Sequence, residues 1–376
     1  MIIRNLSITG STVNNFLIIP IPLEDELLSS WFSRLSYAHH FHPQSFFNIH
    51  FGLNNRDLFK RDIDCFFDDK ILSIINRKCN NKINAYNLTL RTYSGFLQEK
   101  MIINASSRFI CNQQYCPKCL REDTVPYFRK YWKLTFNTIC IKHQCFLHKT
   151  CPQCNSLINI SKMFKFKFSF TSCHKCGFDL RKTKTINIDT TYTYGITATQ
   201  KMNHILEDGY VKYKNDIVYS FVFFDVIIQL TKIILLRKNF TYINQHPFFK
   251  LIEKIALKQF NTAKPIYQQL NNQENFSLFG FIMNLFENYP MNLSKFMKSN
   301  NLTHWNMVKD IKYLSYWYDN LVNLISPRYV PFGDIIMEKE IQEGIKYLKS
   351  KDLQITKTNL SKLFHNINYF ANKRIK

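Results

Sequence analysis

Glycine is scarce in this chain, with nine in 376 residues. No GxGxxG or GxxxxGK[ST] phosphate loop occurs, nor HExxH or GxSxG, so no nucleotide-binding, zincin or serine-hydrolase motif calls for catalysis. Acids are also few: 27 Asp and Glu stand against 50 Lys and Arg, a formal charge of +23. A surplus of that size suits a polyanion, most simply nucleic acid, through counterion release. The abundance of Lys, Asn, Ile and Phe also has the look of A·T-rich coding, which raises Lys without selection for binding. The first 23 residues hold one basic residue, and their apolar run is broken by Pro20 and Pro22, which argues against a signal peptide. Ile217 to Leu236 has the length of a membrane span but contains Asp225, Gln229 and Lys232. A charge at the bilayer centre costs about 2.5–3.5 kcal/mol. The segment therefore reads as a buried helix, and the chain as cytoplasmic, with no membrane partner. Disorder is excluded by 15% aromatics, 34 of them Phe.

Cysteine is concentrated: nine of eleven lie between Cys111 and Arg181. Eight candidate ligands form four short pairs: Cys116 with Cys119, Cys140 with His143, Cys151 with Cys154, and Cys173 with Cys176. Two ligands two residues apart can close on one ion through a tight turn, and two such turns complete a tetrahedral set. A closed Cys₃His or Cys₄ set leaves no open position for chemistry. Disulfides would need an oxidising compartment. The pattern predicts two structural Zn²⁺ ions and no catalytic site. Sequential pairing places Cys116, Cys119, Cys140 and His143 on one ion and the four later cysteines on the other. A cross-braced arrangement would join the first and third pairs, and the seven residues between His143 and Cys151 are long for it. Cys111, Cys145, His148 and His174 stand close enough to substitute for a named ligand.

The rest of the chain reads as mainly α. Pro22 to Glu26 opens a helix, with acids in the first turn and Leu27, Leu28, Trp31, Leu35 and Ala38 on one stripe. Trp31 reads as core, Arg34 as a candidate contact, and His39, His40 and His42 as a polar helix exit. Short apolar bursts up to residue 100 suggest several small helices, compatible with a helix-turn-helix. Asp62, Asp64, Asp68 and Asp69 read as a solvated loop. Tyr127 to Ile141 could be a strand that packs Trp132 and Phe136 beside the metal. Met163 to Phe170 alternates Phe with Lys165, Lys167 and Ser169, the period of a strand; its lysines are either solvated or touch phosphate.

After residue 185, TKTINIDTTYTYG reads as a linker. Helices are then expected over 198–208, 216–238, 247–260, 262–271, 276–287, 292–299, 303–325 and 336–350. A last helix begins near Asn359, after a turn and a Thr cap. This terminal pair, with Lys357 and Lys362 outward, has the form of a DNA-binding helix-turn-helix. Three units result: an N-terminal helical, helix-turn-helix-like domain (1–110), tandem zinc ribbons (111–185) and a C-terminal helical domain with a helix-turn-helix (186–376).

Two stretches resemble the TniQ family. PIPLEDELLSSWFSRLS is similar to its opening pattern through Glu26, Leu28, Ser30, Trp31, Arg34 and Leu35, with Leu27 replacing the usual Ser. CPKCLREDTVPYFRKYWKLTFNTICIKHQCFLHKTCPQC resembles its zinc region at Cys116, Pro117, Cys119, Leu120, Glu122, Asp123, Tyr127, Trp132, Cys140, His143, Leu147, Cys151, Pro152 and Cys154. Cys173, Cys176 and Gly177 complete the second ribbon, and residues 190–376 match loosely, through Glu287 to Pro290 and the terminal helix pair. The resemblance implies a non-enzymatic target-selection protein of Tn-seven-like transposons, acting near the nucleoid. Such proteins either bind an attachment site directly or dock on an RNA-guided CRISPR effector complex and recruit an AAA+ ATPase. Some of the adaptors act as head-to-tail homodimers. The chain's length is closer to the adaptors.

Overall fold

The computed structural model describes residues 15–52, 62–67, 69–102, 113–165, 170–189, 193–213, 216–236, 255, 258–260, 266–311, 314–326 and 338–364. Helices predominate. The N-terminal unit contains α1 (Leu28–Ala38), α2 (Pro43–Phe51), α3 (Ile63–Phe66) and α4 (Asp69–Lys78). Their apolar faces meet in one cluster with Trp31, Phe32, Phe46, Phe47, Leu72 and Ile75 inside, so Trp31 is core, and its indole N–H donates to the Pro20 carbonyl at 2.8 Å. Helix α1 starts at Leu28, two residues beyond the acids expected in its first turn. Those acids serve a different purpose. Asp25 has a left-handed φ of 54°, and Glu26 is buried.

The segment Asp25 to Ser30 pairs with Phe128 to Tyr131, a hundred residues away. The Leu27 N–H donates to the Phe128 carbonyl at 2.9 Å, and the Lys130 N–H to the Asp25 carbonyl at 2.7 Å. The Phe128 N–H reaches Ser30 Oγ at 3.0 Å, and the Tyr131 N–H reaches Asp25 Oδ2 at 3.0 Å. The region from Tyr127 to Ile141 is a 3₁₀ turn over Lys130–Lys133 and a two-residue strand, not one long strand. Trp132 and Phe136 are buried as expected.

Lys133 is buried as well. Its ammonium lies 2.5 Å from Asp62 and 3.4 Å from Asp64, all three side chains 1% exposed. Asp64 also accepts from the Ser29 N–H and hydroxyl at 2.7 and 2.8 Å. The solvated reading of Asp62 and Asp64 is therefore overturned; sequence periodicity cannot show a cation arriving from seventy residues downstream. Asp69 is exposed and pairs with Arg91 at 2.9 Å, and Asp68 lies outside the described residues.

The remaining elements share one core with the cysteine-rich segment. Helix α5 (Pro117–Glu122), strands β1 (Ile139–Cys140) and β2 (Cys145–Phe146), and helices α6 (Thr193–Asp208), α7 (Ser220–Leu236) and α8 (Asn272–Leu285) all contribute. Phe136 stacks on Phe224 at 5.3 Å, and Phe146 meets Phe276 edge-on at 5.4 Å. A Cβ on Gly195 would lie 2.2 Å from the Phe276 ring, so this glycine lets α6 and α8 approach. The supposed linker is partly structural: Phe146 N–H donates to the Ile186 carbonyl at 2.9 Å and Ile188 N–H to the Gln144 carbonyl at 3.1 Å, extending the β1–β2 hairpin.

Helix 216–238 begins later than its periodicity suggests. Residues 210–213 and 216–219 pair as the antiparallel hairpin β3 (Tyr210–Tyr213) and β4 (Asp216–Tyr219), with Tyr210 opposite Tyr219. Among the described residues no helix is long and apolar enough to cross a membrane. In α7, Gln229 donates to the Asn306 carbonyl at 2.8 Å and Lys232 lies 3.4 Å from Asp310. The span 303–325 is two helices, α10 (His304–Val308) and α11 (Tyr316–Ile325), preceded by α9 (Met291–Ser299). Most of 247–265 lies outside the described residues, and the start of the helix expected over 262–271 with it; Ile266–Gln269 is a 3₁₀ turn. The last elements among the described residues are α12 (Glu338–Ser350) and α13 (Lys357–Leu363). Thr356 caps α13 by accepting from the Asn359 N–H at 3.1 Å, and Ile341, Leu348 and Leu360 form the pair's own small core.

Two stability outcomes follow. Removing the cation from a buried pair strands the partner charges and costs about 3–5 kcal/mol. Lys133→Met should cost that much in denaturant unfolding, and adding Asp62→Asn with Asp64→Asn should restore most of it; an unchanged midpoint for the single variant would contradict the assignment. Burial pushes the Asp25 carboxyl up to about 7, against the pull of the Tyr131 N–H, Lys130 and Arg129. The folded state thus keeps this proton above the unfolded value of about 3.9. The group's contribution to stability is complete below about pH 4 and is lost as pH rises through about 7. Asp25→Asn keeps the acceptor and tolerates the left-handed φ. It should match the parent near pH 4 and exceed it in melting temperature at pH 8.

Candidate metal centre

Three of the four ligand turns end on a left-handed residue directly after the second ligand: Gln144 (φ 46°), Asn155 (φ 54°) and Gly177 (φ 75°). That conformation folds the chain back, so Asn155 N–H reaches the Cys151 carbonyl and Gly177 N–H the Cys173 carbonyl, each at 2.9 Å. Glycine adopts it without strain and Asn at small cost. The first pair differs, because Pro117 at the first helical position starts α5, with Cys116 at its cap and Cys119 inside it.

The ligands gather in sequential order. Cys116, Cys119, Cys140 and His143 form one group and Cys151, Cys154, Cys173 and Cys176 the other, with the ligand atoms of each within 4.8 Å of one another. In the first group Cys119 and Cys140 sulfurs are 3.6 Å apart. His143 Nδ1 lies 3.4, 3.3 and 3.4 Å from the sulfurs of Cys116, Cys119 and Cys140. In the second, Cys151 to Cys176 is 3.6 Å and Cys154 to Cys173 is 3.7 Å. A tetrahedral ion with metal–sulfur bonds of ~2.3 Å requires sulfur–sulfur edges of about 3.8 Å. A disulfide would need about 2.05 Å. Both donor sets therefore fit a four-coordinate metal ion.

Neighbouring groups orient these donors. His143 Nε2 meets Glu122 Oε2 at 2.8 Å, and Lys142 reaches the same carboxylate at 3.1 Å. This fixes Nδ1 as the ligand atom, the carboxylate–histidine arrangement common at metal sites. In the second group, Ser156 Oγ is 3.1 Å from the Cys154 sulfur and 3.4 Å from that of Cys173. That hydroxyl holds the Cys154 thiol down at about 6, whereas burial pushes Cys151 up to about 12. Glu122 was visible in the sequence as a motif position without a role, and Ser156 carried no signal.

The possible substitutes fall outside both groups. Cys145 sits beside the first, 3.8 Å from the Cys116 sulfur. His148 exchanges backbone hydrogen bonds with Tyr115 at 2.9 Å, and its ring lies against that tyrosine. His174 belongs to neither group, and Cys111 lies outside the described residues.

The candidate nucleic-acid contacts are dispersed. Arg34 turns inward, 2.6 Å from Glu26 with its side chain 13% exposed, which leaves little of it for an outside partner. Lys165 ends a 3₁₀ turn, Ile160–Lys165, where a strand was expected; Lys167 lies outside the described residues. Phe170 packs edge-on against Phe128 at 5.5 Å. Lys357 and Lys362 are exposed on α13.

The two closed donor groups on this helical frame define a scaffold with two sets of four side chains that could each hold a metal ion. Over residues 17–147 the chain matches the family model described as TniQ, and this third of the chain is a TniQ-family domain. A TniQ domain marks a transposition-associated target-selection protein. The match takes in the first donor group whole and stops short of the second. A comparison with curated proteins finds no match.

Glu122→Ala should weaken metal binding at the first site by about 10–100-fold and leave the second intact, read by competition with a chelator. Cys119→Ser and Cys154→Ser should each lower the metal count by one per chain in elemental analysis, while Cys65→Ser and Cys79→Ser leave it unchanged. A count insensitive to either ligand variant would refute the two-site assignment.

Proposed function

We propose that the protein is a target-selection adaptor of a Tn-seven-like transposon, holding two structural zinc ions and linking an RNA-guided CRISPR effector complex to an AAA+ transposition ATPase. The observation that carries this reading is how the family-matched polar residues are used. Glu26 is bonded to Arg34 at 2.6 Å, Glu122 to His143 at 2.8 Å and Asp123 to Arg129 at 2.9 Å. Arg129 in turn lies over the Tyr127 ring at 4.1 Å. Glu26, Glu122 and Asp123 thus each prop a neighbouring side chain, which suits a rigid docking body. Thiolate and imidazole donors in closed sets of four suit zinc among the divalent ions.

A second reading, a direct site-specific DNA binder, draws on the terminal helix pair, whose Thr356-capped α13 exposes Lys357 and Lys362. Two measurements separate them. As an adaptor, the purified protein should capture the ATPase and the effector complex together, and it should enrich no motif from a randomised duplex pool. Preference for one sequence by about 10³-fold or more at physiological salt, without effector capture, would make the direct binder correct. The purified protein should also show no nuclease or ATPase turnover; metal-dependent cleavage abolished by one carboxylate substitution would overturn that.

A further inference from the structure

Charge is unevenly distributed along the chain. Residues 111–185 hold fourteen Lys and Arg but three acids, Glu122, Asp123 and Asp179. All three acids are committed within the fold, to His143 and Lys142, to Arg129, and to Arg181 at 2.9 Å. Counting loaded Cys₃His and Cys₄ sites as about −1 and −2, a surplus of about +8 remains on a fifth of the chain.

Part of that surplus is gathered in one place. Helix α5 packs on the 3₁₀ turn Leu180–Lys182, and Arg121 donates from its guanidinium to the Arg181 carbonyl at 2.9 Å. This bond lays one arginine along the backbone of another, beside Lys182. The next residue, Thr183, is buried with its hydroxyl 3.0 Å from that of Tyr115, so Lys182 and Lys184 on either side of it are exposed. Lys118 lies one turn before Arg121 on α5, on the same helix face. The acids next to these cations are already taken, Asp179 by Arg181 and Glu122 by His143 and Lys142; like charges brought together cost stability, and an anion relieves that cost.

We propose that Lys118, Arg121, Lys182 and Lys184 form a ridge that grips the phosphate backbone of duplex DNA, independently of the terminal helix pair. The choice of DNA rests on the target-selection reading above. A backbone track is favoured over a protein partner because the four side chains are cations with no aromatic anchor of the kind that dominates protein interfaces. Phosphate contact through Lys and Arg positions a duplex without reading its sequence. The ridge would therefore seat target DNA against the metal-stapled body while selection comes from elsewhere.

The test uses the full-length, metal-loaded protein, a 30-base-pair duplex of arbitrary sequence, and fluorescence anisotropy between 50 and 200 mM salt. Arg121→Ala with Lys182→Ala and Lys184→Ala should weaken binding at least tenfold for every sequence. The same variant should lower the slope of log affinity against log salt by about 2–3, since each phosphate contact adds roughly 0.9. Metal content should be unchanged, and Lys357→Ala with Lys362→Ala should leave the ridge's share of the slope in place. If the triple variant loses metal, Lys182→Gln with Lys184→Gln, which alters neither donor group, decides on the same readout. Unchanged affinity and slope, or no duplex binding by the parent, would overturn the ridge. Tighter binding of an RNA duplex with the same loss would overturn the assignment to DNA. Capture of the ATPase by the parent protein is scored separately, so failure of the adaptor reading and failure of the ridge give different results.

Discussion

The ammonium of Lys133, enclosed with Asp62 and Asp64, governs how the N-terminal helices meet the metal-binding segment. Asp62 caps α3 by accepting from the Asp64 N–H at 3.2 Å, and Asp64 takes both donors of Ser29 at the start of α1. One cation thereby fixes two helix starts. Buried charges of this kind bring little net stability over apolar packing but penalise any other arrangement severely. The adjacent backbone pairing of Asp25–Ser30 with Phe128–Tyr131 acts in the same direction. Together they make one body of two motifs that lie a hundred residues apart in the chain.

The two donor groups hold the other side of this body. Their ligands come from turns closed by left-handed residues and from the first turn of α5, and the strand residues 186–188 seal the β1–β2 hairpin behind them. Phe136, Phe146 and Asn272 then carry the packing into the C-terminal helices, Asn272 donating to Gln114 Oε1 at 2.8 Å and to the Leu147 carbonyl at 2.6 Å. The cysteine-rich segment is thus a junction that both helical halves use. Its position explains why Glu122, Asp123 and Arg129 support neighbouring side chains, and why the terminal pair α12–α13, with a core of its own, is distinct from it.

Some features were legible in the residues because the interactions that make them are local. The membership of the two donor groups and their sequential order follow from two-residue spacings, which one turn converts directly into geometry. The cap at Thr356, the buried Trp31 stripe and the helical character of the C-terminal half rest on contacts within four residues. Tertiary structure alone decided the rest. Asp62 and Asp64 have a polar pattern that fits a surface loop, and only the return of the chain at Lys133 makes burial affordable. Arg34 has the look of an outward contact until Glu26, displaced from the helix it was expected to start, turns to meet it. The stretch at 186–188, Ile-Asn-Ile, is too short an alternation to stand out in a polar run, and it becomes strand only through backbone hydrogen bonds to Phe146 and Gln144. Likewise, α5 and Leu180–Lys182 are sixty residues apart in sequence. Their basic side chains become one surface only through packing, since long-range pairing brings together residues whose local patterns carry no record of each other.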